Sequence, residues 1–109
     1  MSLRVTHVVR QFYPSIGGME EVVLNIARQQ REQHGHLPHI VTLDRLFRNT
    51  REPLPARGEI DGIPITRLPF YGSSRYPLCP AVRQHLADTD LIHVHGVDFF
   101  FDYLAAIRP

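Results

Sequence analysis

The 109-residue chain has no lysine, one cysteine, and a net charge of only +1 with its histidines neutral. Each shortage excludes something. Cys79 cannot close an internal disulfide, so nothing asks for an oxidising compartment, and a cytoplasmic setting is expected, extending at most to the inner face of a membrane. The near-balance of 12 basic and 11 acidic groups argues against electrostatic capture of nucleic acid. No stretch approaches the roughly 18 consecutive apolar residues of a membrane span, and the N-terminus enters a strand pattern without a signal-peptide core. Any membrane contact is therefore expected to be peripheral. Internal repeats, low-complexity tracts and inter-domain linkers are absent, as are the dinucleotide-binding G-x-G-x-x-G and the P-loop.

What is present is a globular composition, 43% hydrophobic and 21% charged, which places the chain away from disordered and fibrous classes. A chain of this size buries about two-thirds of its unfolded surface, enough for one sheet with helices packed on it. All 12 basic residues are arginine. That is what an arginine-biased codon usage produces, and also what recognition of phosphate by a planar guanidinium uses.

Leu3 to Val9 is aliphatic and β-branched without strict alternation, as in a strand buried on both faces of a parallel sheet. A loop through Phe12-Tyr13-Pro14 reaches Gly17-Gly18. Met19, Val22, Val23, Ile26 and Ala27 then recur at helical spacing to about Gln33, which predicts that they form the buried face. Gly35 and Pro38 stop the helix, and His39 to Leu43 reads as a second strand. Strand, helix and strand in this order form a βαβ unit with parallel strands.

Asp44 to Arg57 has no period and reads as a solvated loop, with Asp44 as an end-of-strand turn residue. Asp61-Gly62 between apolar runs is a hairpin signal joining Ile60 to Ile63–Leu68, with Pro64 marking an edge or strand start. Pro80 to Ala87 reads as a short helix, Leu91 to Gly96 as the last strand, and Val97 to Ile107 as a final helix. That helix ends with no strand after it to return its face to the sheet, so a truncated chain is expected. An exposed apolar face over Phe99 to Leu104 would promote self-association.

Two places carry chemistry. At the strand–loop–helix junction, glycines let an anion approach the unpaired amides and positive dipole end of the helix. The pair Gly17-Gly18 alone is equally consistent with a plain turn, and Glu20 in the first helical turn complements the dipole whatever the function. At the end of the last strand, His93 and His95 share one face. Ligands of open parallel sheets bind beyond the carboxyl ends of the strands, so His95 is the functional candidate and His93 a packed, hydrogen-bonded interior residue. His7, His34, His36, His39 and His85 offer no spacing that completes a metal site, and no metal is expected. Cys79 has no motif around it and receives no role.

Taken together, Leu3–Val9 leading into Phe12-Tyr13-Pro14 and Gly17-Gly18-Met19-Glu20, then Ile60-Asp61-Gly62-Ile63-Pro64-Ile65, then Asp90-Leu91-Ile92-His93-Val94-His95-Gly96, resembles the start of a family 4 glycosyltransferase of the GT-B fold. The resemblance implies an α/β, Rossmann-like, mostly parallel sheet with flanking helices. Residues 1–109 would be part of the N-terminal, acceptor-side domain, and the C-terminal nucleotide-sugar domain would be absent. It implies retaining transfer from a nucleotide-diphosphate-sugar donor to a glycan or lipid-linked acceptor, as in polysaccharide biosynthesis, without cofactor or metal, and with this piece inactive alone. His95 would be catalytic, and Tyr13, Gly17, Gly18 and Glu20 would bind substrate. The alternative is a stand-alone, non-enzymatic module that binds a phosphorylated ligand at Gly17-Gly18. A nicotinamide-dependent oxidoreductase is disfavoured by the missing third glycine.

Overall fold

The computed structural model describes every residue except Met1, Ile16, Thr50, Ser74, Arg75, Val97, Asp98, Arg108 and Pro109. The aliphatic N-terminal run forms β1 (Arg4–Val8), followed by α1 (Gly18–Glu32) and β2 (Leu37–Leu43). A hairpin of β3 (Arg57–Ile60) and β4 (Ile63–Leu68) comes next. A 3-10 helix (Pro80–His85), β5 (Leu91–Val94) and α2 (Phe99–Ile107) complete the order.

The five strands form one sheet in the order β3-β4-β2-β1-β5. β1 pairs in parallel with β2 and β5, and β2 with β4; the β3–β4 hairpin alone is antiparallel. This is the α/β, Rossmann-like, mostly parallel sheet that the resemblance implies. Asp61 (φ 52°) and Gly62 (φ 78°) turn the hairpin with both central residues in the left-handed region, where Asp-Gly carries little strain. A Cβ at Gly62 would also run into the Arg31 guanidinium, which donates to the Asp61 carbonyl at 2.6 Å. Pro64 lies in an interior strand rather than an edge, but at its start, one residue before the β2–β4 ladder begins at Ile65. Its missing N–H therefore costs no ladder bond there.

Alternation along the strands sends side chains to two apolar layers. On one face Ile40, Ile63 and Ile65 pack with Val9, Phe12 and the α1 residues Val23, Leu24 and Ala27. On the other, Val8, Val41, Leu43 and Leu68 pack with Phe70, Cys79, Val82, Phe100 and Leu104.

Two packing expectations change. The buried face of α1 is Glu20, Val23, Leu24 and Ala27, while Met19 (44%) and Val22 (51%) are exposed. The N-terminal half of this helix is apolar over more than one face. The stripe that wins is the one that brings Leu24 and Ala27 onto the sheet and folds Glu20 inward against Ser15. In α2, Phe100 (1% exposed) and Leu104 (9%) are inserted into the core, so the apolar face expected to drive self-association is largely covered by the chain itself. Phe101 remains outward; the side chain of Phe99, and Val97 of the expected helix start, lie outside the described residues. No helix among the described residues is long and apolar enough to cross a membrane.

Candidate functional site

A cavity of about 430 Å³ opens beyond the carboxyl ends of β1 and β5, lined by Val9, Arg10, Gln11, Ser15, Met19, Glu20, Phe47, Arg48, His95 and Gly96. Its position follows from topology. β1 and β5 are parallel neighbours, so both chains leave the sheet on the same rim, as ligand crevices of open α/β sheets require. His95 and Glu20, assigned to one site from sequence, both line this cavity, on different walls. Tyr13, Gly17 and Gly18 are not part of it.

Gly17 is the N-cap of α1, with extended backbone and no side-chain capping bond. A Cβ on it would stand 3.1 and 3.2 Å from the two Glu20 carboxylate oxygens. The glycine thus makes room for the carboxylate of the first helical turn, which accepts a hydrogen bond from Ser15 Oγ at 2.6 Å. The positive end of the helix already faces the chain's own negative charge, the arrangement that a bound phosphate would otherwise supply. Nothing stands within 4 Å of a Cβ on Gly18. Tyr13 packs against Phe12 and the α1-side core, and its carbonyl accepts from Arg67 Nη2 at 3.1 Å. The Tyr13–Pro14 peptide bond is cis.

The histidines at the other wall differ from expectation. His93 is exposed, not interior: among the described residues β5 lies at the edge of the sheet. His95 is the buried one, 7% exposed, with its backbone N–H donating to Val8 O. The two rings stack with centroids 3.9 Å apart. The residue that spacing could not find is His7, fully buried in β1 and paired in register with His93. Its Nε2 lies 2.7 Å from Gln30 Oε1, and its Nδ1 lies 2.9 Å from His95 Nε2.

Burial holds the His95 imidazole down at about 4, with the neighbouring His93 and His7 rings acting the same way. His7 is also lowered, first by burial, with the Gln30 hydrogen bond opposing and His93 adding to the fall. Both rings are therefore neutral near neutral pH.

His7, His93 and His95 each offer a nitrogen, all within 4.8 Å of one another, a spacing compatible with a metal ion. Both nitrogens of His7 are already engaged, however, with Gln30 and His95. The arrangement found is a hydrogen-bonded His7–His95 pair with the His93 ring stacked on His95.

The mouth of the cavity also carries arginines, and Arg48 comes from a loop that sequence read as solvated. Gln11 folds that loop onto the end of β1: its Nε2 donates to Arg45 O, and its Oε1 accepts from Phe47 N. Arg48 reaches the cavity this way, and the Arg10 guanidinium sits 5.6 Å over the Phe47 ring at the same rim. Asp44 is a turn residue, with its N–H donating to Leu68 O and its carboxylate accepting from Arg45. His36 and His39 play structural parts, at Leu3 N and Thr66 Oγ1 respectively. Cys79 is buried, and its thiol is pushed up to about 11 by that burial, which leaves it unreactive.

With an α/β crevice of this kind in place, comparison with known proteins settles the family. The sequence profile of Glycosyltransferase Family 4 matches residues 16–109. The chain belongs to glycosyltransferase family 4. It is 51% identical over 107 residues to a GDP-mannose:cellobiosyl-diphosphopolyprenol alpha-mannosyltransferase of Xanthomonas oryzae pv. oryzae (strain PXO99A), covering 98% of this chain and 28% of that protein. It is 50% identical to proteins of the same description from Xanthomonas campestris and Komagataeibacter xylinus, covering 98% and 99% of this chain and 28% and 27% of theirs. The chain thus spans little more than a quarter of the length of these relatives. No solved structure matches it significantly.

Proposed function

We propose that the chain is the acceptor-side, N-terminal part of a retaining mannosyltransferase that moves mannose from GDP-mannose to a lipid-diphosphate-linked saccharide. The observation that carries this reading is half-identity, sustained over nearly the whole chain, to three enzymes described by that reaction. Retention follows from chemistry: the mannose of GDP-mannose is α-linked, and an α product keeps the configuration.

The cavity supports specific roles. His95, neutral and buried at the wall, positions a sugar hydroxyl by accepting its proton in a hydrogen bond. Arg10 and Arg48 provide cations for a diphosphate, whose oxygens the guanidinium fork matches. Glu20 orders the entrance by holding Ser15. Gly17 leaves room for the Glu20 carboxylate rather than gripping phosphate, and Tyr13 supports the loop from the core side. Neither metal nor cofactor enters this reading. A lipid-linked acceptor brings the protein to a membrane surface without a spanning helix, on the cytoplasmic side where nucleotide sugars are available.

The test is transfer of labelled mannose from GDP-mannose to cellobiosyl-diphosphopolyprenol by the longer protein that carries this chain, with the product's anomeric configuration read by NMR. An α-mannosyl product is expected. Absence of transfer, combined with micromolar binding of sugar phosphates by the 109 residues alone, would instead establish a stand-alone binding module.

A further inference from the structure

The proposed role of His95 leaves open which of its nitrogens meets the substrate, and residues outside the cavity decide this. We infer that Gln30 and His7 are positioning residues that fix His95 as the Nε2–H tautomer and leave its Nδ1 lone pair as the group offered to a substrate hydroxyl.

Three side chains are linked in series. The Gln30 Oε1 atom has no proton to give, so at 2.7 Å it accepts from His7 Nε2. A neutral imidazole has one N–H, so the other nitrogen of His7, Nδ1, carries only a lone pair. That lone pair lies 2.9 Å from His95 Nε2, and two lone pairs cannot face each other at this distance, so His95 Nε2 must hold the proton and donate. His95 Nδ1 is then deprotonated, and among the described residues it has no hydrogen-bond partner.

Each link is held in place by the fold. His7 is fully buried in the interior strand β1. Gln30 projects from the sheet-facing side of α1, three residues after the buried Ala27. His95 is held by its backbone bond to Val8 O and by stacking on His93. Burial favours the neutral form of both rings.

The consequence is chemical selectivity. An imidazole offering only a lone pair accepts from a sugar hydroxyl but repels a phosphate oxygen, which has no proton to donate. The diphosphate is thereby directed to the arginine side of the cavity and the sugar to the histidine side. This inference rests on the proposed sugar-transfer reading for its consequence, but the tautomer itself is independent of it.

The experiment is ¹⁵N NMR of selectively labelled histidines in the longer protein, with the His95 signals assigned through His95→Gln, together with steady-state kinetics. Wild type is expected to show His95 protonated on Nε2. Gln30→Leu, a change on a half-buried helix position, removes the acceptor, and is expected to give a mixture of His95 tautomers and roughly tenfold lower kcat, with KM for GDP-mannose little changed. His7→Asn added to Gln30→Leu places an amide oxygen near the former Nδ1 and is expected to restore the Nε2–H form. A wild-type His95 protonated on Nδ1, or a Gln30→Leu spectrum identical to wild type, overturns the relay. An intact relay in a protein that transfers no mannose instead removes the sugar-transfer reading and leaves the relay standing.

Discussion

The two walls of the cavity handle charge in opposite ways. At the start of α1 the chain answers its own helix dipole: the Glu20 carboxylate folds into the space left by Gly17 and is tied to Ser15. At the end of β5 it buries an imidazole that, among the described residues, has no carboxylate hydrogen-bonded to it, only the His7 ring, which is itself bonded to the Gln30 amide. A carboxylate beside His95 would have raised its pKa and made it a cation. The arrangement found keeps it uncharged. The first wall is complete without a ligand; the second has an acceptor atom still to be matched.

If that contrast is right, the largest effect comes from His95→Ala, which is expected to lower mannosyl transfer by roughly a hundredfold or more, measured as kcat in the longer protein, with the fold retained by circular dichroism. Next is His7→Leu. It strands the N–H of His95 and the carbonyl of Gln30 in a buried site, and is expected to lower stability by about 1–3 kcal/mol, read from urea denaturation.

A pH effect follows. The folded pKa of His95 is about 4, below its unfolded value near 6.5, so the unfolded state binds more protons between these limits. Stability is full above about pH 6.5 and falls as pH drops toward 4; His7 acts in the same direction. Denaturation midpoints across this range should decline on the acid side, and less so in His95→Gln. The smallest effect is expected of Glu20→Gln, about 0.3–1 kcal/mol of lost dipole compensation, seen as a small fall in Tm with near-normal turnover.

Much of this was legible in sequence for local reasons. The bounds of β4 follow from its β-branched run and the Asp61-Gly62 turn. The end of α1 follows from Gly35, which adopts a positive φ of 67°. His95 was singled out because chain position on a parallel sheet indicates the ligand rim, and Glu20 through the family resemblance. The rest depended on contacts between distant segments. His7 meets His95 only through the β1–β5 register, although a buried-type strand containing a histidine, next to another with two at alternate positions, was a usable signal. Arg48 reaches the site because Gln11 pins its loop. The face of α1 was misjudged because Met19 and Val22 extend its apolar surface beyond one stripe, and periodicity alone cannot say which stripe the sheet selects.

The central claim is that catalytic need falls on the imidazole wall and not on the glycine–glutamate wall. Parallel kcat measurements on His95→Ala and Glu20→Gln, with saturating GDP-mannose, test it most directly. The account predicts a loss for the histidine variant that exceeds that of the glutamate variant by roughly two orders of magnitude. Equal losses, or full turnover without the imidazole, would contradict it.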